Sequence, residues 1–133
     1  MSLSSMSSIS VSGMQAAATR LEASASNIAN ASSSGPVPDA SGNTNAYSPV
    51  KVQQSDVKGG GVSSRIVNAA DPYVMSPDAS SPDANADGMV AMPNVDMATE
   101  LVNVMTARIS YEASAKTLKV ANDMQKTALD AFS

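Results

Sequence analysis

From Val95 to about Ala131 the chain contains no Gly and no Pro, and no other feature restricts its fold as strongly. Pro93 precedes this segment, and Asn94 or Asp96 can cap it. In its first half Met97, Ala98, Leu101, Val102, Val104, Met105 and Ile109 form a broad apolar face. In its second half Leu118, Val120, Ala121, Met124, Ala128 and Leu129 turn partly elsewhere, beside a charged ridge of Arg108, Glu112, Lys116, Lys119, Asp123 and Lys126. The pattern predicts one helix of roughly 37 residues, about 55 Å long at 1.5 Å per residue. A globule of 133 residues has a radius of gyration of only about 14 Å. Such a helix has to project from any compact body.

A second amphipathic helix is predicted over about Ser5 to Asn30. Val11, Met14, Ala18, Leu21, Ala25 and Ile28 recur at the alternating three- and four-residue steps of a heptad seam. Gly13 and the Ser-rich start weaken its first dozen residues, which are expected to fray in the free monomer. Ser32-Ser33-Ser34-Gly35-Pro36 supplies the stop, with Gly35 available for a left-handed cap. Residues 37 to 45 read as loop. Pro49 to Gln54 and Val62 to Val67, joined by a turn over Asp56 to Gly61, read as a small β-hairpin. Between Ala69 and Pro93, the prolines at 72, 77, 82 and 93 leave room for neither helix nor central strand. That tract is expected to be extended. The fold class is thus mainly α, an elongated antiparallel helical hairpin with a small β-hairpin and extended-loop insertion. It divides as residues 1–34, 35–93 and 94–133.

Little in the composition could form a free-standing core. Much of the 43% hydrophobic content is Ala, whose burial gains about 0.8 kcal/mol or less, against roughly 1.5 kcal/mol to order each residue. Part of the missing burial is expected from partner chains. With no His and no Cys, the usual zinc, haem and iron–sulfur ligand sets and any Ser-His-Asp arrangement are excluded. The net charge of -4 with 3% aromatics argues against a nucleic-acid surface. No apolar run reaches the length of a membrane span, and no basic residue precedes Arg20, so no cleaved secretory signal is expected.

Three local patterns imitate chemistry. Asp83-Ala84-Asn85-Ala86-Asp87-Gly88 follows the first half of a calcium loop, but Asn94 stands where the bidentate Glu belongs and no helix enters, so an Asx-and-Gly turn is the expectation. Gly59-Gly60-Gly61 lacks the Lys-Ser/Thr of a phosphate loop. Asn30-Ala31-Ser32 fits a glycosylation sequon at the end of an amphipathic helix and is set aside. No pair of carboxylates is tied by spacing to a pocket. The methionines at 89, 92, 97, 105 and 124 suit core filling or an irregular interface.

Ser12-Gly13-Met14-Gln15-Ala16, Arg20-Leu21-Glu22 and Ala25-Ser26-Asn27-Ile28-Ala29-Asn30-Ala31 resemble the N-terminal helix of the bacterial flagellar rod and hook axial family. The run from Pro82 through Asp87-Gly88-Met89-Val90-Ala91-Met92-Pro93-Asn94-Val95-Asp96, followed by Glu100-Leu101-Val102 and Ala107 to Ala113, is similar to the proximal-rod type within that family. Residues Asn27, Asn30, Asp87, Gly88, Pro93, Asn94 and Val95 carry the family motif. Where the family continues Asn-Thr-x-Gly-Tyr, this chain has Ser32 to Pro36 and delays its Tyr to position 47. The resemblance implies a non-enzymatic subunit of the proximal rod, the drive shaft carrying motor torque to the hook, required for flagellum assembly and motility. It implies export through the flagellar type III apparatus without signal cleavage, and assembly in the periplasm with copies of itself and other rod proteins. No cofactor, metal, nucleic acid or membrane insertion is implied. Both terminal helices would form an inner layer, D0, with Val11, Met14, Leu21 and Ile28 packing against Leu101, Val104, Met105, Ile109 and Leu118, within and between subunits. A cytosolic coiled-coil adaptor is the alternative that the heptads alone would allow.

Overall fold

The computed structural model describes residues 2–131. Helix α1 spans Leu3–Asn30, and strands β1 (Val50–Asp56), β2 (Val62–Asn68), β3 (Tyr73–Pro77) and β4 (Met89–Pro93) follow, before helix α2 at Met97–Asp130. At 28 and 34 residues the helices are about 42 and 51 Å long. Asp96 is the cap of α2: its carboxylate accepts from the Ala98 amide (3.0 Å) and the Thr99 hydroxyl (2.7 Å). Asn94 instead ties the approach to α2 onto the start of β3, its amide donating to Pro72 O (2.8 Å) and its side chain to Asp71 O (3.1 Å).

Chiefly the Thr99 hydroxyl, then the Thr99 and Ala98 amides, hold the Asp96 carboxyl below its ordinary value of 3.8. A depressed carboxyl stabilises the fold above the unfolded value and loses that contribution as pH falls through the folded one. Asp96→Ala is therefore expected to lower the thermal midpoint followed by circular dichroism at pH 7. The gap from wild type should narrow as pH falls below the ordinary carboxyl value of 3.8 and through the folded one. A gap that persists there would mean that the ionised cap is not its source.

The α1–α2 seam is built from small side chains. Ser10, Ala16, Ala17, Ala23, Ser24 and Asn27 of α1, with Ala107 and Ala121 of α2, are all at most 5% exposed. A Cβ on Gly13 would come within 2.7 Å of Ser114 Oγ, so that approach depends on glycine. Gly13 lies beside Ser114, and Asn27 bonds Glu100 (2.7 Å): as one helix advances, its contacts on the other recede. By the same count the last turns of α2, exposed after Ala121, extend past the start of α1.

β1 and β2 pair antiparallel from Val50↔Asn68 to Asp56↔Val62 and lie along α1. Their α1-facing side carries Gln54, which accepts from Arg20 (2.9 Å). The Ser-rich start of α1, read from the sequence as prone to fray, is helical from Leu3 and lies under the tip of this hairpin.

Two expectations are corrected. The tract from Ala69 to Pro93 is not simply extended, because β3 and β4 pair from Tyr73↔Pro93 to Pro77↔Met89. Pro77 and Pro93 are tolerated because they end their strands, and the intervening loop closes through Asp78 N–H to Gly88 O (2.9 Å). Nor is Gly35 a left-handed cap. Helix α1 ends at Asn30 with right-handed Ala31, and Gly35 instead exchanges backbone hydrogen bonds with Ala91 (2.9 and 3.0 Å). A Cβ there would lie 2.8 Å from Ala46 Cα. Glycine is needed for close approach, and the bridge helps to leave Ala91 fully buried.

Candidate assembly interface

Asn27 fixes the geometry from which the candidate surface follows. It is 2% exposed, and its Nδ2 donates to Val50 O (2.8 Å) and Glu100 Oε1 (2.7 Å). Its Oδ1 accepts from the Val50 amide (2.9 Å) and the Tyr47 hydroxyl (3.0 Å). Because Tyr47 spends its one proton on Asn27, Ser26 must donate to Tyr47 Oη (2.8 Å). One side chain thus pins α1 to β1, to α2 and to Tyr47 with both amide protons and its oxygen in use. Sequence reasoning placed Asn27 in the motif but missed this role. The available signal was an Asn on the same helix face as the small residues 10, 13, 17 and 24.

The other motif residues shape the backbone. Asn30 Nδ2 donates back to Ser26 O (2.9 Å). In the Asp83–Gly88 loop, Asn85 Oδ1 accepts from the Asp87 (3.0 Å) and Met89 (2.9 Å) amides, an Asx turn, and Gly88 adopts φ +72. Pro93 is buried, Val95 half-buried and Asp87 exposed. Among the described residues no three of His, Cys, Asp or Glu are grouped to hold a metal ion. The loop after α1 closes on itself, with Asp39 accepting from the Asn43 and Ser41 amides (2.8 Å each). It brings Tyr47 back to Asn27.

The nine expected packing residues divide. Met14, Ile28, Val104 and Leu118 are half-buried, while Val11, Leu21, Leu101, Met105 and Ile109 are exposed. Leu21 and Val104 meet across a groove of about 340 Å³ between the helices, with Ala17 and Ala107 also lining it. The seam inside the chain runs one residue earlier on α1 than the apolar heptads, through Ser10, Gly13, Ala17, Ser24 and Asn27. Met105 and Ile109 each sit two residues, about 200°, around α2 from buried Ala107, on its far side from α1. Leu101, Val102, Met105 and Ile109 there are 52–64% exposed. Further along, the same side carries Lys116, Lys119 and Asp123, while Arg108 and Glu112, an ion pair (2.9 Å), border the groove between the helices. Both partners are exposed, so it adds little.

The seam of the two helices is thus small, and Leu101, Val102, Met105 and Ile109 form an exposed apolar row of the kind that marks interaction surfaces. Comparison with known proteins gives the class. Residues 8–36 match the family described as "Flagella basal body rod protein", and residues 86–131 match "Flagellar basal body rod FlgEFG protein C-terminal". Over nearly its whole length the chain is also similar to single curated proteins named flagellar basal-body rod protein FlgC. It is 32% identical to that of Agrobacterium fabrum over 96% of this chain and 94% of the relative. It is 32% identical to that of Salmonella typhimurium and 35% identical to that of Yersinia enterocolitica, each over 97% of both chains. The chain belongs to the FlgC family of flagellar basal-body rod proteins.

Proposed function

We propose that this chain is a structural subunit of the rod of the bacterial flagellar basal body, acting by packing and not by catalysis. The observation that carries the reading beyond family membership is the outward row Leu101, Val102, Met105 and Ile109. Full burial of such side chains contributes about 1.5–3 kcal/mol each, enough to favour a docked state over a free one. Helices α1 and α2 form an elongated antiparallel hairpin, the D0 layer, and residues 35–93 form the part carried outside it. Val11 and Leu21 of one subunit, with Leu101, Met105 and Ile109, provide packing against further copies and other rod proteins. Met14, Ile28, Val104 and Leu118 straddle the inner and outer contacts. In this role the chain belongs to the proximal rod, carrying torque to the hook. It passes unfolded through the type III export apparatus and assembles in the periplasm. The thin Ala and Ser seam suits that passage, since a marginal fold is easily unfolded.

Quantitative mass spectrometry of purified hook–basal bodies from the source bacterium tests the proposal. The chain is expected in fixed ratio to the other rod proteins. Its absence from the particle, with the protein recovered from the cytosol, would overturn the assignment.

A further inference from the structure

Each of the two sheets has only two strands, which leaves four strand edges to be covered. Two are covered from within the chain. The β1 edge is held at Val50 by Asn27, and beyond it faces the start of α2 across a cleft of about 450 Å³ lined by Val52, Thr99 and Asn103. On β4, Gly35 exchanges both bonds with Ala91 (2.9 and 3.0 Å), and the Asn85 amide donates to Met89 O (2.9 Å). The other two edges are open. The β1–β2 bonds run through Lys51↔Val67 and Gln53↔Arg65, in phase with Ala69 N–H to Pro49 O, so the amides and carbonyls of Ser64, Ile66 and Asn68 point away from β1. The β3–β4 bonds run through Val74↔Met92 and Ser76↔Val90, in phase with Asn94 N–H to Pro72 O, so those of Tyr73 and Met75 point away from β4. Among the described residues, no hydrogen-bond partner meets the outward backbone of these five. Ile66, Val74 and Met75 on these two strands are 40–50% exposed.

The charges along the two open edges are opposite. Arg65 lies on β2, with Lys51 beside Val67 on the same face of the hairpin. β3 runs between Asp71 and Asp78, and no Lys or Arg occurs from residue 66 to residue 107. Two β2 edges together would set Arg65 near Arg65, and two β3 edges would gather Asp71 and Asp78, both unfavourable. We propose that β3 of one copy adds to β2 of a second copy, joining a β1–β2 pair and a β3–β4 pair into one four-stranded sheet across the contact. The inference rests on the rod reading above. With the strands antiparallel and Ile66 opposite Met75, the open backbone groups of both edges meet, Val67 faces Val74, and Arg65 lies on the diagonal from Asp78. Because the two joined surfaces differ, each copy keeps an edge for the next, and the contact propagates as an open helical array instead of closing into a dimer.

The chain has no Cys, so single cysteines report the contact inside the assembled particle. In a strain expressing the Val67→Cys and Val74→Cys variants together, mild oxidation of purified hook–basal bodies is expected to give a disulfide-linked pair of copies. Neither variant expressed alone should give it, and with one cysteine per chain no bridge can form within a copy. Met75→Pro removes an outward amide that the β3–β4 ladder does not use. Added to both cysteine variants, it is expected to lower the linked fraction by about fivefold or more. Ile66→Pro does the same on β2 and decides alone if Met75→Pro fails to accumulate. The pairing is overturned if particles containing both cysteine variants give no mixed pair, or if the proline variants leave its yield unchanged. Motility lost in the proline variants without any mixed pair would also overturn it, and would assign the open edges to a strand of another protein. Absence of the chain from the particles would overturn the rod assignment and this contact with it, an outcome distinct from a chain that is present but unlinked.

Discussion

Asn27→Ala is expected to cost about 3–5 kcal/mol in chemical denaturation. The truncation leaves the Val50 amide and carbonyl without the partner that each now has at 2.8–2.9 Å, and removes one of the two partners of Glu100 and of the Tyr47 hydroxyl. Each buried polar group left unpaired costs about 1–3 kcal/mol, and water entering the vacated space recovers part of the sum. A fold of this size has about 5–15 kcal/mol in total, so the variant is at the edge of folding at 37 °C. Asn27→Asp separates hydrogen bonding from size. It loses both donors and sets a second carboxylate against Glu100, so at pH 7 it should be destabilised at least as much as Asn27→Ala although its side chain has nearly the size of Asn. A loss under about 1 kcal/mol in Asn27→Ala would show that the junction is held elsewhere.

The double variant Met105→Asp, Ile109→Asp should behave in the opposite way. Both positions are 64% exposed in the chain, so its circular dichroism and thermal midpoint are expected to stay near wild type. In a strain carrying it as the sole copy, motility and recovery in hook–basal bodies should be lost. The reason is that a carboxylate taken out of water at a subunit contact costs several kcal/mol. Leu21→Asp, on the rim of the groove between the helices, is expected to give the same separation of folding from assembly. Normal motility in the double variant would remove this face of α2 from the interface. A collapsed melting curve would instead show that the row stabilises the chain itself.

Much of the architecture was legible because the signals are local. The uninterrupted segment after Pro93 becomes α2, beginning two residues later than Val95 because Asp96, and not Asn94, points its carboxylate at the first free amides. The alternating Val50-Lys51-Val52 and the glycines before Val62 become a hairpin. The β3–β4 pair was not legible, since four prolines in twenty-five residues argue against strands until it is known that two of them fall at strand ends. Nor was Gly35, whose requirement comes from Ala46 eleven positions away. Tyr47 looked displaced in sequence, yet the turn around Asp39 returns it to Asn27.

By itself, the sequence determined the two long helices, the hairpin between them, the absence of His and Cys, and the resemblance to rod proteins. Periodicity, capping and the absence of residue types are properties of neighbouring positions. Only the tertiary structure decided which stripe of α1 faces α2. Two stripes one residue apart compete there: Val11, Leu21 and Ala25 by hydrophobicity, and Ser10, Gly13, Ala17 and Asn27 by size. The small stripe takes the inner position because it allows a close helix approach, with a Cβ at Gly13 already too near Ser114, and because Asn27 finds all its partners there. The large apolar side chains are left outward. Hydrophobic periodicity marks residues that leave water, but it does not say whether the chain's own helix or a neighbour's covers them.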